Sequence, residues 1–317
     1  MPWLRIIRWK NLTIILLTQV LVWWCVVLPE DPEVLKPVHF SYIVLSTLLI
    51  AAAGYIINDY FDFKIDLINK PEKVVLEKII PRKHAIIAHA ILNSAALVLA
   101  GIVALKAHHP EWLLLQVACI ALLWFYSTDF KRQYITGNIA ISVLTALTII
   151  IFFVYEPALH HEFSLPVLAG VSWHSGSSLP FWTLLVYAYF AFMLTWMREI
   201  VKDMEDYKGD ESEGCLTLPI KRGLKYSTGF AMVLSLLVVM PLAGAAGLLY
   251  HYKYVLLPFY IALFLILPIV LWSFFLNRGF TKLHYHTSSR ILKVIMLLGI
   301  CSLLIYHLEL YANLIEE

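Results

Sequence analysis

Nine stretches of this 317-residue chain are apolar over close to the length that crosses a bilayer as helix, ~20 residues. They fall at roughly 11–29, 38–58, 83–106, 111–128, 138–156, 180–201, 226–250, 254–276 and 290–311. In hydrocarbon, every backbone N–H and C=O needs a partner within the protein, so only helices and closed barrels span. A barrel requires repeated apolar–polar alternation, which is scarce here. The expectation is an all-α, polytopic membrane protein: a bundle of nine transmembrane helices forming a single domain over residues 1–317. Composition agrees, at 61% hydrophobic and 15% charged residues, against about 45–50% and 25% in soluble domains. No soluble domain, long repeat or low-complexity tract is visible.

The first apolar run follows Arg5, Arg8 and Lys10, as a secretory leader would. It is bulky, with Trp23 and Trp24, and lacks an Ala-x-Ala cleavage pattern, so it reads as a retained helix. With the N-terminus in the cytoplasm, 21 of the 24 lysines and arginines fall on the cytoplasmic side. Only Lys36, Lys106 and Lys253 lie outside, as the positive-inside rule requires. The longest outer loop, about 157–179, carries no basic residue and reads as a passive connector. Gly244 and Gly247 in the seventh helix are expected to permit close helix packing. The four cysteines are scattered and the twelve histidines show neither HExxH nor helical pairing, so no Cys or His metal site is expected.

Two acidic clusters stand out at cytoplasmic helix ends. The first runs from Asn58 to Asp66 and holds Asp59 and Asp62; the second runs from Glu199 to Asp210 and holds Asp203, Glu205 and Asp206. With Asn58 as zero on a helix, Asp62 falls at about 40°, Asp66 at about 80° and Asp59 at about 100°. With Asp203 as zero, Asp210, Glu199 and Asp206 fall at about −20°, −40° and −60°. Each cluster therefore occupies one face. Carboxylates this dense repel one another and are costly beside lipid unless a cation neutralises them. Mg²⁺ suits such oxygen donors, taking one or two carboxylates with substrate phosphate and water. Two clusters then describe two ions around one diphosphate. Lys131 and Arg132, between the fourth and fifth helices, are placed to touch phosphate oxygens. Arg198, Lys202, Lys64 and Lys73 are further candidates, with lipid headgroup anchoring as their other role.

These motifs resemble those of the UbiA-family intramembrane prenyltransferases. Asn58 to Asp66 matches that family's NDxxDxxxD residue for residue, and Asp203 to Asp210 matches its DxxDxxxD. Tyr126-Ser127, Lys131-Arg132 and Gly137-Asn138 match a third, less specific pattern. The resemblance implies Mg²⁺ bound by Asn58, Asp62 and Asp66 and by Asp203, Asp206 and Asp210, gripping a polyprenyl diphosphate. Lys131, Arg198 and Lys202 would act on the departing diphosphate, with Asn58, Lys64, Lys73, Lys131 and Arg132 binding substrate. Tyr126, Tyr60 and Phe61 would shield the allylic cation. The implied partners are a polyprenyl diphosphate, a lipid-phosphate or aromatic acceptor and membrane lipid, with no nucleic acid. The implied place is a prokaryotic inner or plasma membrane, with the active site facing the cytoplasm.

The second motif and the following Leu216-Thr217-Leu218-Pro219-Ile220 are similar to the branch that makes digeranylgeranylglyceryl phosphate. The family's usual Asn-x-Pro-Asp-Arg-Pro reads Asn69-Lys70-Pro71-Glu72-Lys73-Val74 here. Lysine there loses a bidentate phosphate fork. Prenylation of an aromatic quinone precursor is the alternative within this chemistry. A membrane transporter is the alternative of another class, although the acids gather at one face rather than at the midplane.

Overall fold

The computed structural model describes residues 2–72, 74–160 and 179–316. Most of the connector expected at 157–179, residues 161–178, lies outside the described residues. Among the described residues there are nine helices long and apolar enough to span: Trp9–Glu30, Pro37–Phe61, Arg82–Lys106, Pro110–Thr128, Thr136–Tyr155, Pro180–Glu205, Leu224–His251, Leu256–Leu276 and Lys282–Glu309. They correspond one to one with the nine expected. The ends differ where polar turns continue a helix. The sixth reaches Glu205 and the ninth begins at Lys282. A helix satisfies its own backbone in water as in lipid, so its hydrogen bonds do not stop where hydropathy does.

Two spans contain a widened, π-helical turn, Trp23–Val27 and Ile261–Ile266. Each lies just before a proline, Pro29 and Pro268. Proline lacks an N–H and its ring crowds the carbonyl one turn back, so the preceding turn opens.

The chain divides into two compact units. One comprises Met1–Phe130 and Val143–Tyr189. In it the second span packs against the third and fourth. Gly54 permits the approach to the fourth, since a Cβ there would lie 2.9 Å from the methyls of Leu123. Buried polar side chains clasp these helices. Ser46 donates to the Ala96 carbonyl at 2.9 Å, and Gln19 donates to the Thr148 carbonyl at 3.0 Å. The second unit comprises Lys131–Ser142 and Phe190–Glu317. Its core gathers Met197, Ile200, Val238, Ile269, Trp272, Tyr285 and Leu292. The Trp272 indole donates to the Ser288 carbonyl at 3.1 Å, so its one polar group is satisfied.

The expectation for Gly244 and Gly247 is corrected. Both are exposed, and among the described residues nothing lies within 4 Å of a Cβ built on either. A small-residue pattern does not say which face of a helix a neighbour covers. Gly54 is the testable case. Alanine there asks only that the flexible end of Leu123 turn aside. Gly54→Phe forces the helices apart and is expected to destabilise by about 1–3 kcal/mol, read as a lower melting temperature in detergent. Equal melting of G54F and wild type would contradict this packing.

Candidate active site

Both acidic motifs share one local design. The second span ends at Phe61, and a short helix Phe63–Asn69 follows, with Asp62 at the break. The sixth span ends at Glu205, and a short helix Tyr207–Ser212 follows, with Asp206 at the break. Asp62 sits at φ −81, ψ 0 and Asp206 at φ −93, ψ 7. This sparsely populated bridge region bends the chain without losing its hydrogen bonds. The Asp62 N–H still reaches the Asn58 carbonyl at 2.9 Å, and the Asp66 N–H the Asp62 carbonyl at 2.9 Å. In the second motif the matching bonds are Asp206 to Lys202 at 2.8 Å and Asp210 to Asp206 at 3.2 Å. The middle aspartate of each motif therefore marks a kink, while the four-residue hydrogen-bond pattern of the helix persists through it.

In the first motif Asn58 and Asp62 are buried, at 7% and 4% exposure, and the Asn58 amide donates to Asp62 Oδ2 at 2.6 Å. Asp66 is half-buried and Lys64 exposed. Asp59 already has a cationic partner, because Arg8 binds its Oδ1 at 2.8 Å. Tyr60 and Phe61 meet edge-to-face at 5.2 Å, and Phe61 abuts Trp124 at 5.8 Å. Arg82 stacks over Tyr60 and Phe63 at 5.5 and 4.8 Å. Those rings are thus partly occupied by the protein's own packing. Tyr126 is buried at the end of the fourth span, and Lys73 lies outside the described residues.

In the second motif Asp210 is buried, and Asp203 and Asp206 are half-buried. Asn138 donates to Asp203 Oδ2 at 2.9 Å. The buried Glu199 pairs with two cations, Lys202 at 2.9 Å and Arg198 at 3.1 Å. Two residues expected to face phosphate, Arg198 and Lys202, therefore share one internal carboxylate, which fixes them in place at the cost of part of their charge. Arg132 is exposed, and its carbonyl accepts the Leu216 N–H at 2.8 Å, tying its loop to the segment after the second motif. His286 from the ninth span pairs with buried Glu205 at 3.0 Å.

Sequence reasoning missed Arg8, Arg82 and His286 as neighbours of the motifs, and missed that Asn138 orients Asp203. Only Asn138 carried a signal, as part of the Gly137-Asn138 pair. Among the described residues no three of His, Cys, Asp and Glu gather closely enough to hold an ion unaided. The donor set nonetheless fits Mg²⁺. Every candidate ligand offers a hard oxygen, and Mg²⁺ takes few carboxylates and fills its octahedron with phosphate and water.

A model of the UbiA prenyltransferase family matches residues 18–282. Digeranylgeranylglyceryl phosphate synthase of Methanosphaera stadtmanae is 28% identical over 259 residues, covering 81% of this chain and 84% of the relative. That of Methanobrevibacter smithii is 28% identical over 304 residues, covering 94% and 95%. A solved structure concerning digeranylgeranylglyceryl phosphate synthase in membranes superposes with a TM-score of 0.66 at 25% identity, covering 96% of this chain and 97% of that one. A UbiA homologue from Archaeoglobus fulgidus, solved bound to GPP and Mg²⁺, superposes with a TM-score of 0.59 at 15% identity, covering 96% and 99%.

Proposed function

The chain belongs to the UbiA prenyltransferase family, and on that premise we propose that it transfers a polyprenyl group from its diphosphate to geranylgeranylglyceryl phosphate. It is a multi-pass membrane prenyltransferase. The observation that carries the acceptor is similarity along almost the whole chain to digeranylgeranylglyceryl phosphate synthases. Residues 1–317 act as one catalytic domain in a prokaryotic plasma membrane. The distribution of lysine and arginine supports acidic motifs that face the cytoplasm.

Asn58, Asp62 and Asp66, with Asp203, Asp206 and Asp210, would hold Mg²⁺ together with the diphosphate. The ion would supply positive charge to stabilise the leaving diphosphate. Asn58 restrains Asp62, and Asn138 restrains Asp203, so the carboxylates are aimed before substrate arrives. Lys131, Arg132, Lys64 and Lys73 bind phosphate oxygens. Arg198 and Lys202, anchored on Glu199, add a fixed positive field. Tyr126 turns its ring to the allylic cation. The acceptor hydroxyl oxygen then bonds to the terminal carbon of the prenyl group, and its proton leaves with the diphosphate.

A competition assay tests the acceptor. Purified full-length protein in lipid nanodiscs receives Mg²⁺, geranylgeranyl diphosphate and equal amounts of geranylgeranylglyceryl phosphate, dihydroxynaphthoate, hydroxybenzoate and homogentisate. Mass spectrometry is expected to find the doubly prenylated glyceryl phosphate as the main product. A prenylated aromatic in its place moves the chain to the other branch.

A further inference from the structure

We propose that Arg8 is a positioning residue for the first acidic motif, pairing with Asp59 to withhold that carboxylate from the metal and to fix the helix end that presents Asn58 and Asp62. The inference rests on the diphosphate site proposed above.

Arg8 reaches across 51 residues of sequence to place Nη2 at 2.8 Å from Asp59 Oδ1. Its guanidinium also lies 5.0 Å from the centre of the Tyr55 ring, one turn before Asp59. Two neighbours on the second span thus hold one planar cation.

The backbone is shaped for this reach. Arg8 adopts φ 52, ψ 52, a left-handed conformation uncommon outside glycine. It separates the short helix Pro2–Ile6 from the span beginning at Trp9. Ile6 behind it is 1% exposed and packs in a cluster with Ile56, Val75, Leu76, Ile80 and Ala85. Ile56 precedes the motif on the second span; Val75, Leu76 and Ile80 belong to the loop that follows it. The N-terminal segment therefore clamps the motif from both sides in sequence, through one apolar wedge and one charge. A strained residue held by its surroundings next to a reactive cluster is where pre-organisation is expected.

The pairing also sorts the acids. Asp59 is adjacent to Asn58, and the Asn58 amide bonds Asp62 at 2.6 Å. Without the Arg8 charge, the Asp59 carboxylate competes for the cation meant for Asp62 and Asp66, and the helix end loses a restraint.

The test uses full-length protein in nanodiscs. Mg²⁺-dependent binding of geranylgeranyl diphosphate is measured beside turnover for wild type, R8K, R8M, D59N and R8M/D59N. R8M is expected to weaken diphosphate binding and to lower kcat/KM by about tenfold or more. R8K falls between R8M and wild type. The double variant R8M/D59N recovers most of the loss, because D59N replaces the competing carboxylate with a neutral amide, whereas a purely packing role of Arg8 gives no such rescue. Wild-type binding and kcat/KM in R8M, or a loss that D59N leaves untouched, overturns the proposal. Binding that follows this pattern in a protein that prenylates no acceptor keeps the Arg8 assignment and removes the acceptor reading. Failure of wild type to bind the diphosphate with Mg²⁺ removes both.

Discussion

Asp62→Ala is expected to abolish prenyl transfer, lowering kcat by about a thousandfold or more, while the protein remains folded in the membrane. Asp62 lies at the break between the second span and the short helix after it, so its backbone is not in a helix interior that alanine would strengthen or weaken. Asp62 is 4% exposed and its carboxylate accepts the Asn58 amide, so the side chain is aimed and largely removed from bulk water. On the metal role proposed for it, removing Asp62 deletes an oxygen ligand, weakens Mg²⁺ binding and so leaves the diphosphate to depart with less positive charge beside it. Burial of a carboxylate is itself unfavourable, so its loss relieves about as much desolvation as it removes hydrogen bonding. The thermal unfolding temperature measured without Mg²⁺ should therefore stay near that of the wild type. D62A with wild-type turnover would remove Asp62 from the metal site. The same result is expected for Asp203→Ala, whose partner is Asn138.

Glu156→Ala is expected to do the reverse, destabilising the fold by about 3 kcal/mol or more, with activity retained per folded molecule. Glu156 is fully buried just after the fifth span. Its carboxylate accepts the N–H groups of Glu33, Val34 and Leu35 at 2.9, 3.1 and 2.8 Å, and that of Ala158 at 3.2 Å. The first three belong to the turn that leads into the second span. Alanine leaves these donors without their acceptor where little water reaches, and each such loss is costly. Glutamine retains one carbonyl oxygen and should fall between the two. Thermal denaturation of E156A, E156Q and wild type in the same detergent checks the order. If E156A melts with the wild type, the four bonds do not hold this turn.

The contrast between Asp62 and Glu156 shows what a sequence of this kind reveals. Nine spans were legible because hydrocarbon admits few alternatives for the backbone, and composition alone carries that signal. The acidic motifs were legible because their carboxylates recur at fixed short spacing, and spacing is written in one dimension. Glu156 carried no such mark. A lone glutamate after an apolar run looks like an ordinary surface charge, and its four partners come from two separate turns. Arg8 and His286 were invisible for the same reason: each meets its acid only through tertiary packing. The breaks at Asp62 and Asp206 were hidden as well, since the helical hydrogen-bond spacing continues through both. Gly244 and Gly247 misled because glycine spacing marks a helix face without naming what covers it, whereas the single Gly54 meets Leu123.

Cleavage of a prenyl diphosphate through the two carboxylate motifs is tested most directly by one measurement. Purified full-length protein in nanodiscs is given geranylgeranyl diphosphate and geranylgeranylglyceryl phosphate while Mg²⁺ is titrated from an EDTA-stripped start. Released diphosphate and prenylated product are quantified in the same samples. The expected result is no release in EDTA, a saturable rise with Mg²⁺, and one diphosphate released for each product formed. Undiminished product in EDTA, or consumption of the prenyl donor with no diphosphate released, would contradict it.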